Sequence, residues 1–221
     1  MNPRAVRERR LSLDGIWEVQ LEPGGGYEPI RVPFTFEAAL SGIGAVDEIH
    51  ERVVYRRSFD WEGGHAVLRF GAVDWRASVL LDGAPLGSHT GGYTQFSFEL
   101  GELPRGEHEL MVEVEDPAEA GQPKGKQRGS DGIWYTRATG IWRPVWLEQV
   151  PAVHITSFEM HARVDGTIDG DVSTNEPIDV HIEPDGVHMP RLWSPDDPFL
   201  YDVTLRAGDD ELTTYVAFRS I

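Results

Sequence analysis

The side chains here that could do chemistry are 37 carboxylates, eight histidines and a scatter of serines, with no cysteine among 221 residues. Paired carboxylates hydrolyse glycosidic bonds when they stand about 5–5.5 Å apart, one as acid and one as nucleophile. Their abundance works against assignment, because no spacing singles out one pair. The histidines never form His-Glu-x-x-His, and His154, His161 and His181 fall on separate predicted strands, as rim residues rather than metal ligands. "GQPKGK" (Gly121 to Lys126) is one residue short of a phosphate loop, and Gln127 stands where a magnesium-binding Ser or Thr belongs. Ser88 and Ser130 lack the neighbours of a nucleophile elbow. "DGTIDGD" (Asp165 to Asp171) lacks calcium-loop spacing and reads as turn chemistry. Spacing alone therefore gives no catalytic residue, no metal site and no cofactor.

A different constellation surrounds Gly91 and Gly92: Trp75, His89, Tyr93, Gln95 and Phe96. Aromatic faces pack on the C–H surfaces of sugars, and amides bond hydroxyls, so sugar contact is one reading. Alternation puts Trp75 and Phe96 on core positions, which makes packing the competing reading and the better supported one.

The elements that must position these residues are almost all strands. "RVVYRRSFDW", "HAVLRFGAVD", "ASVLLDG", "QFSFEL", "HELMVEVED" and "RPVWLEQV" alternate apolar and polar residues between Gly, Pro and Asp punctuation. Asp82-Gly83 predicts a tight hairpin and Leu103 to Gly106 a second turn. "FEAALSG", ending at Gly42, is the one helix-like piece. The pattern predicts buried Trp17, Phe59, Leu68, Val79, Phe98, Val112 and Trp146. Residues 117–132 lack periodicity and form a long loop, a length that is usually functional or disordered. Val150-Pro151 marks a junction between a domain over 1–150 and one over 151–221. The second carries about four strands, few for an immunoglobulin-like sandwich and expected to leave unpaired edges.

Composition narrows the partners. Twenty basic residues against 37 acidic ones leave a net charge of −17. Such a surface repels nucleic acid and anionic membrane. The acid excess has two readings, an ordinary acidic protein or adaptation to high salt. No run approaches the roughly 18 apolar residues of a membrane span. The basic N-terminus has no apolar segment behind it and does not read as a secretory signal. With no cysteine, the expectation is a cytoplasmic protein.

The blocks "VPFTFEAALSGIG", "VYRRSF", "LRFGAVDWRASVLLDGAPLGSHTGGYTQFSFEL", "GKQ" and "GIWYTRATGIWRPVWLE" together resemble the N-terminal sugar-binding domain of glycoside hydrolase family 2. That family includes β-galactosidases, β-glucuronidases and β-mannosidases. "RLWSPDDPFLYDVTL" and "DELTTYVAFRSI" are similar to the last strands of the family's second domain. The resemblance implies an all-β chain, a galactose-binding-like jelly-roll sandwich followed by a truncated immunoglobulin-like one. The second is shortened between "FEMHARV" and "MPRLWSP". It also implies that both catalytic glutamates belong to a (β/α)₈ barrel following the second domain, so that no carboxylate here inherits either role. The function implied is the non-catalytic portion of a retaining β-glycosidase, buttressing a barrel in cis or in trans and shaping its pocket for a β-glycoside. The alternatives are a stand-alone carbohydrate-binding module or a degenerate remnant without activity. Loops that approach the barrel mouth in the family supply the substrate-proximal candidates: His50, Glu51, Lys126, Gln127, Arg128, Asp131 and Trp134. Loop anchoring is the competing reading for each.

Overall fold

The computed structural model describes residues 7–118, 121–127, 133 and 135–219. Among these, seventeen strands and a single 3-10 turn make up the regular structure. In chain order the strands are β1 (Arg10–Ser12), β2 (Gly15–Glu22), β3 (Glu28–Val32), β4 (Arg52–Trp61), β5 (Gly64–Phe70) and β6 (Val73–Asp74). Then come β7 (Arg76–Leu81), β8 (Ala84–Thr90), β9 (Phe96–Leu103), β10 (Gly106–Glu115), β11 (Gly140–Ile141) and β12 (Val145–Gln149). The last five are β13 (Ile155–Ala162), β14 (Ile168–Thr174), β15 (Val180–Glu183), β16 (Tyr201–Ala207) and β17 (Asp210–Val216). The helix-like "FEAALSG" yields only the turn Ala39–Ser41, ended by Gly42 at φ 94°. Chain contacts divide the protein into two compact units, Leu11–Glu148 and the described residues of Met1–Arg10 with Gln149–Ile221.

In the Leu11–Glu148 unit a six-stranded sheet runs β3-β2-β4-β10-β7-β8 and a four-stranded sheet runs β1-β12-β5-β9. Period-two alternation explains the burial. Along β10, Leu110, Val112 and Val114 are buried, Met111 and Glu113 between them are half-buried, and Glu109 and Glu115 are exposed. Val112 lies opposite Tyr55 of β4 and Val79 of β7, at the centre of the larger sheet. Leu68, Phe70, Val145 and Leu147 of the smaller sheet share one core with Trp17, Tyr55 and Val79 of the larger, which makes this unit a sandwich. Asp82 (φ 51°) and Gly83 (φ 76°) form the two-residue hairpin expected from Asp-Gly.

Five of the seven expected core residues are buried, and Phe98 and Trp146 are only half-buried. Phe98 lies on β9, the outer strand of the smaller sheet, where a neighbour covers one side only. Val145 and Leu147 take the inward face of β12, so Trp146 between them points the other way.

The second unit pairs β13 with β14 and orders β15-β16-β17 in a three-stranded sheet. Ile155, Ile168, Val203, Leu205, Leu212, Val216 and Phe218 close its core. It holds five strands where periodicity suggests four. The extra one, β14, lies in the Asp- and Gly-rich stretch read as a turn. Turn chemistry ends at Thr167, whose N–H donates to Asp165 Oδ1 at 3.0 Å, and the ladder to β13 begins at Ile168.

Candidate functional site

Within the Leu11–Glu148 unit, Gln122, Lys124, Arg137 and Thr139 of the long segment after β10 converge on one carboxylate. Asp116, fully buried, follows the last residue of β10, and its N–H donates to the Glu51 carbonyl at 2.7 Å. Its Oδ1 accepts from Gln122 Nε2 at 2.9 Å and pairs with the Lys124 ammonium. Its Oδ2 accepts from Thr139 Oγ1 at 2.8 Å and lies 3.3 Å from Arg137 Nη2. Arg137 in turn donates Nε to Thr139 Oγ1 at 3.0 Å and Nη2 to the Asp116 carbonyl. Gln122, Lys124, Arg137 and Thr139 are all buried. Buried charge survives in a folded protein only when paired and hydrogen-bonded, so this hub fixes both ends of the 117–139 segment.

A pair of acids lies beside the hub. Glu37 accepts from the Thr139 N–H at 3.3 Å, and Asp74 stands opposite Gly140 where β6 pairs with β11. Burial pushes the Asp74 carboxyl up to about 6, and the Asp116 charge adds to it; Lys124 and Arg137 pull it back only in part. Burial also raises Glu37, against hydrogen bonds from Thr35 and Thr139. Tyr55, fully buried, is raised by burial and by the Glu37 charge. A raised carboxyl is what a general acid needs. Asp74 is nevertheless shut in, 6% exposed, with Gly92 so close that a Cβ there would run into its carboxylate. In this arrangement Glu37 and Asp74 pack against the residues that anchor the loop at Thr139 and Gly140.

Three candidates from the sequence join this hub directly or through the loop backbone. Glu51 accepts the Ala118 N–H on Oε1 at 2.8 Å and so ties down the start of the loop. Lys126, at φ 67°, has its carbonyl 3.3 Å from the Tyr135 N–H, and the Gln127 N–H reaches the Lys124 carbonyl at 3.1 Å. His50 sits apart from it, with Nδ1 3.0 Å from the Glu22 carbonyl, Nε2 2.9 Å from Glu48 Oε2 and its ring edge-on to Phe36. Arg128, Asp131 and Trp134 lie outside the described residues.

The glycine-flanked aromatics divide. Phe96 is stacked between His89 (4.2 Å) and Phe70 (4.8 Å) and packs on the core. Trp75 is half-buried and receives the Gly91 N–H on its carbonyl at 2.9 Å. Gln95 is exposed. Tyr93 is 54% exposed and stands edge-on to Trp142, whose indole N–H donates to the Gly92 carbonyl at 2.7 Å. Arg143 lies over the Trp142 ring at 4.8 Å. Asp74, Asp116, Arg137 and Trp142 escaped the sequence reading as members of this region. Only the position of Asp116, between an alternating strand and a long loop, signalled a role.

Residues 156–219 match the family model described as glycosyl hydrolases family 2. The homology is to that family. A curated relative, a beta-galactosidase of Priestia megaterium, is 25% identical over 186 residues, covering 79% of this chain but 17% of its own length. Among solved structures, a GH2 beta-galacturonidase from Eisenbergiella tayi bound to glycerol superposes with a TM-score of 0.69 at 24% identity, over 95% of this chain and 43% of its own. A b-glucuronidase from Ruminococcus gnavus in complex with N1-substituted uronic isofagomine gives 0.76 at 19% identity, over 100% and 48%. The chain thus spans under a fifth of that curated relative and under half of those solved chains. Its described residues are all-β, with no closed barrel. Among them no group of three or more His, Asp or Glu could hold a metal, and no helix is long and apolar enough to cross a membrane.

Proposed function

We propose that this chain is the non-catalytic, substrate-shaping portion of a retaining β-glycosidase. In this reading Leu11–Glu148 is a galactose-binding-like jelly roll, and the second unit is a shortened immunoglobulin-like sandwich. Together they buttress a (β/α)₈ barrel supplied in cis or in trans, in the cytoplasm. The observation that carries the proposal is the Asp116 hub. It ties described residues near both ends of a long loop to one carboxylate while keeping every charged group of the hub away from solvent, which suits a wall of a pocket better than a catalytic centre. Beyond the hub, Ile133 is 88% and Tyr135 65% exposed, apolar surface available to a neighbouring domain.

The purified chain should not turn over aryl β-galactosides, β-glucuronides or β-mannosides. Added to the barrel encoded in the same or an adjacent reading frame, it should raise kcat/KM. Turnover lost on changing one of this chain's own glutamates overturns the non-catalytic assignment, and an unchanged kcat/KM overturns the pocket-shaping role. The exposed Tyr93 beside Trp142 favours a second reading, an independent carbohydrate-binding module. Calorimetry with oligosaccharides decides it, because binding by the isolated chain that Tyr93→Ala abolishes would make the aromatic pair the functional site.

A further inference from the structure

Arg7 precedes the first strand by three residues, yet it is only 4% exposed, while Glu8, Arg9 and Arg10 beside it are all exposed. Its guanidinium grips Asp210 with two parallel bonds, Nε to Oδ1 at 2.9 Å and Nη2 to Oδ2 at 2.8 Å. Nη2 also donates to the Ile155 carbonyl at 2.7 Å. Asp210 Oδ2 accepts the Ile155 N–H at 2.8 Å, so carboxylate and peptide are joined into one acceptor surface. The Gln149 N–H donates to the Arg9 carbonyl at 3.0 Å, which lays the N-terminal backbone alongside this unit. Asp210 is itself 2% exposed at the start of β17.

These acceptors match a guanidinium and little else. Two coplanar carboxylate oxygens and a carbonyl need a planar fork of donors, which lysine lacks. The neighbouring Arg9 and Arg10 stay in solvent, so diffuse attraction between a basic tail and an acidic protein does not account for the pairing. A segment remote in sequence therefore supplies the counter-charge of a carboxylate that the second unit buries.

We propose that Asp210 and the Ile155 peptide form a guanidinium-accepting slot, that its occupant is the chain's own N-terminal segment, and that this segment is a detachable structural part of the second unit. The unit is then completed from both ends of the chain.

Regional amide hydrogen exchange on the full chain tests this. Arg7→Ala should speed exchange at least tenfold in β13, β16 and β17 and leave β4 and β10 unchanged. Arg7→Lys should fall between, since it keeps the charge and loses the fork. A synthetic peptide of residues 1–10, or millimolar ethylguanidinium, should restore protection to Arg7→Ala and not to Asp210→Asn. Complete loss of protection in β13, β16 and β17 with β4 and β10 intact is the same result at full strength. Unchanged exchange in β13, β16 and β17 overturns the slot, as does an equal effect from Arg9→Ala. Failure of both peptide and ethylguanidinium to rescue overturns a detachable occupant.

Discussion

His108 Nδ1 lies 2.7 Å from Asp82 Oδ2 while its Nε2 lies 2.9 Å from the Pro104 carbonyl, so one imidazole ties together two turns. The carbonyl only accepts and the ionised carboxylate only accepts, which requires a proton on both ring nitrogens. Burial alone would lower the His108 pKa; the bonds to Asp82 and Pro104 and the Asp82 charge outweigh it and hold the ring above 6.5. Slight burial works against Asp82 too, yet His108 and the Glu109 N–H keep its carboxyl below 3.8.

The clamp therefore has a pH window. The His108 contribution is complete below 6.5 and is lost as pH rises through its elevated folded value. The Asp82 contribution is complete above 3.8 and is lost as pH falls through its depressed folded value. With Asp82 half exposed, the contribution is about 0.5–1 kcal/mol. Denaturant titrations across pH 6 to 9 should show the wild type losing this amount and His108→Gln showing no such slope. Parallel profiles would refute the clamp.

Asp74 has the opposite sign. A carboxyl raised to about 6 in the folded chain from 3.8 binds its proton more tightly there than in the unfolded chain. Stability should fall as pH rises from about 4 to 6, then stay lower. Asp74→Asn mimics the protonated form. It is expected to match the wild type near pH 4 and exceed it by about 1–3 kcal/mol at pH 7.5. Loss of stability at both pH values would show that the ionised carboxylate is needed by Lys124 and Arg137.

Asp116→Asn keeps the shape and removes the charge that Lys124 and Arg137 share. Breaking a buried pair from one side leaves uncompensated cations, at a cost of about 3–5 kcal/mol. Urea unfolding of the Leu11–Glu148 unit should shift by that amount. Proteolysis should open the 117–139 segment before β10. A shift under 1 kcal/mol would deny the hub its anchoring role.

The net charge of −17 bears on salt. In molar sodium chloride the Debye length shrinks to about 3 Å and screens the self-repulsion. A salt-adapted chain should show a Tm rising steeply between dilute and molar salt. Exposed pairs such as Arg56 with Glu18 are weakened by the same screening, but each is worth little. A flat Tm would support the ordinary acidic reading.

What was legible in the sequence is what local rules govern. Alternation located β4, β7 and β10, and Asp82-Gly83 announced its own hairpin. Trp146 misled because an apolar residue on a strand carries no sign of which face it takes until its neighbours Val145 and Leu147 are weighed. β14 hid behind Asp165, Asp169 and Asp171, residues that disfavour strands on average but are tolerated on an exposed face. The hub was illegible for another reason. Lysine is seldom buried, and Lys124 lies in a Gly- and Pro-rich stretch, so nothing local reveals that Asp116 awaits it. Arg7 and Asp210 are further apart still.

The strand order of the larger sheet also sets a timetable. β4 and β10 pair in register from Arg52 opposite Glu115 to Trp61 opposite Gly106. During synthesis at about 5–20 residues per second, β4 is finished about 3–10 s before its central partner exists. For that interval the edge of β4 that β10 will pair stays open, with β2 alone hydrogen-bonded on its other side. Non-local pairing of this kind also slows the folding step itself, into the millisecond-to-second range. An open strand edge ten residues long is a template for wrong pairing, and the arrival of β10 closes it.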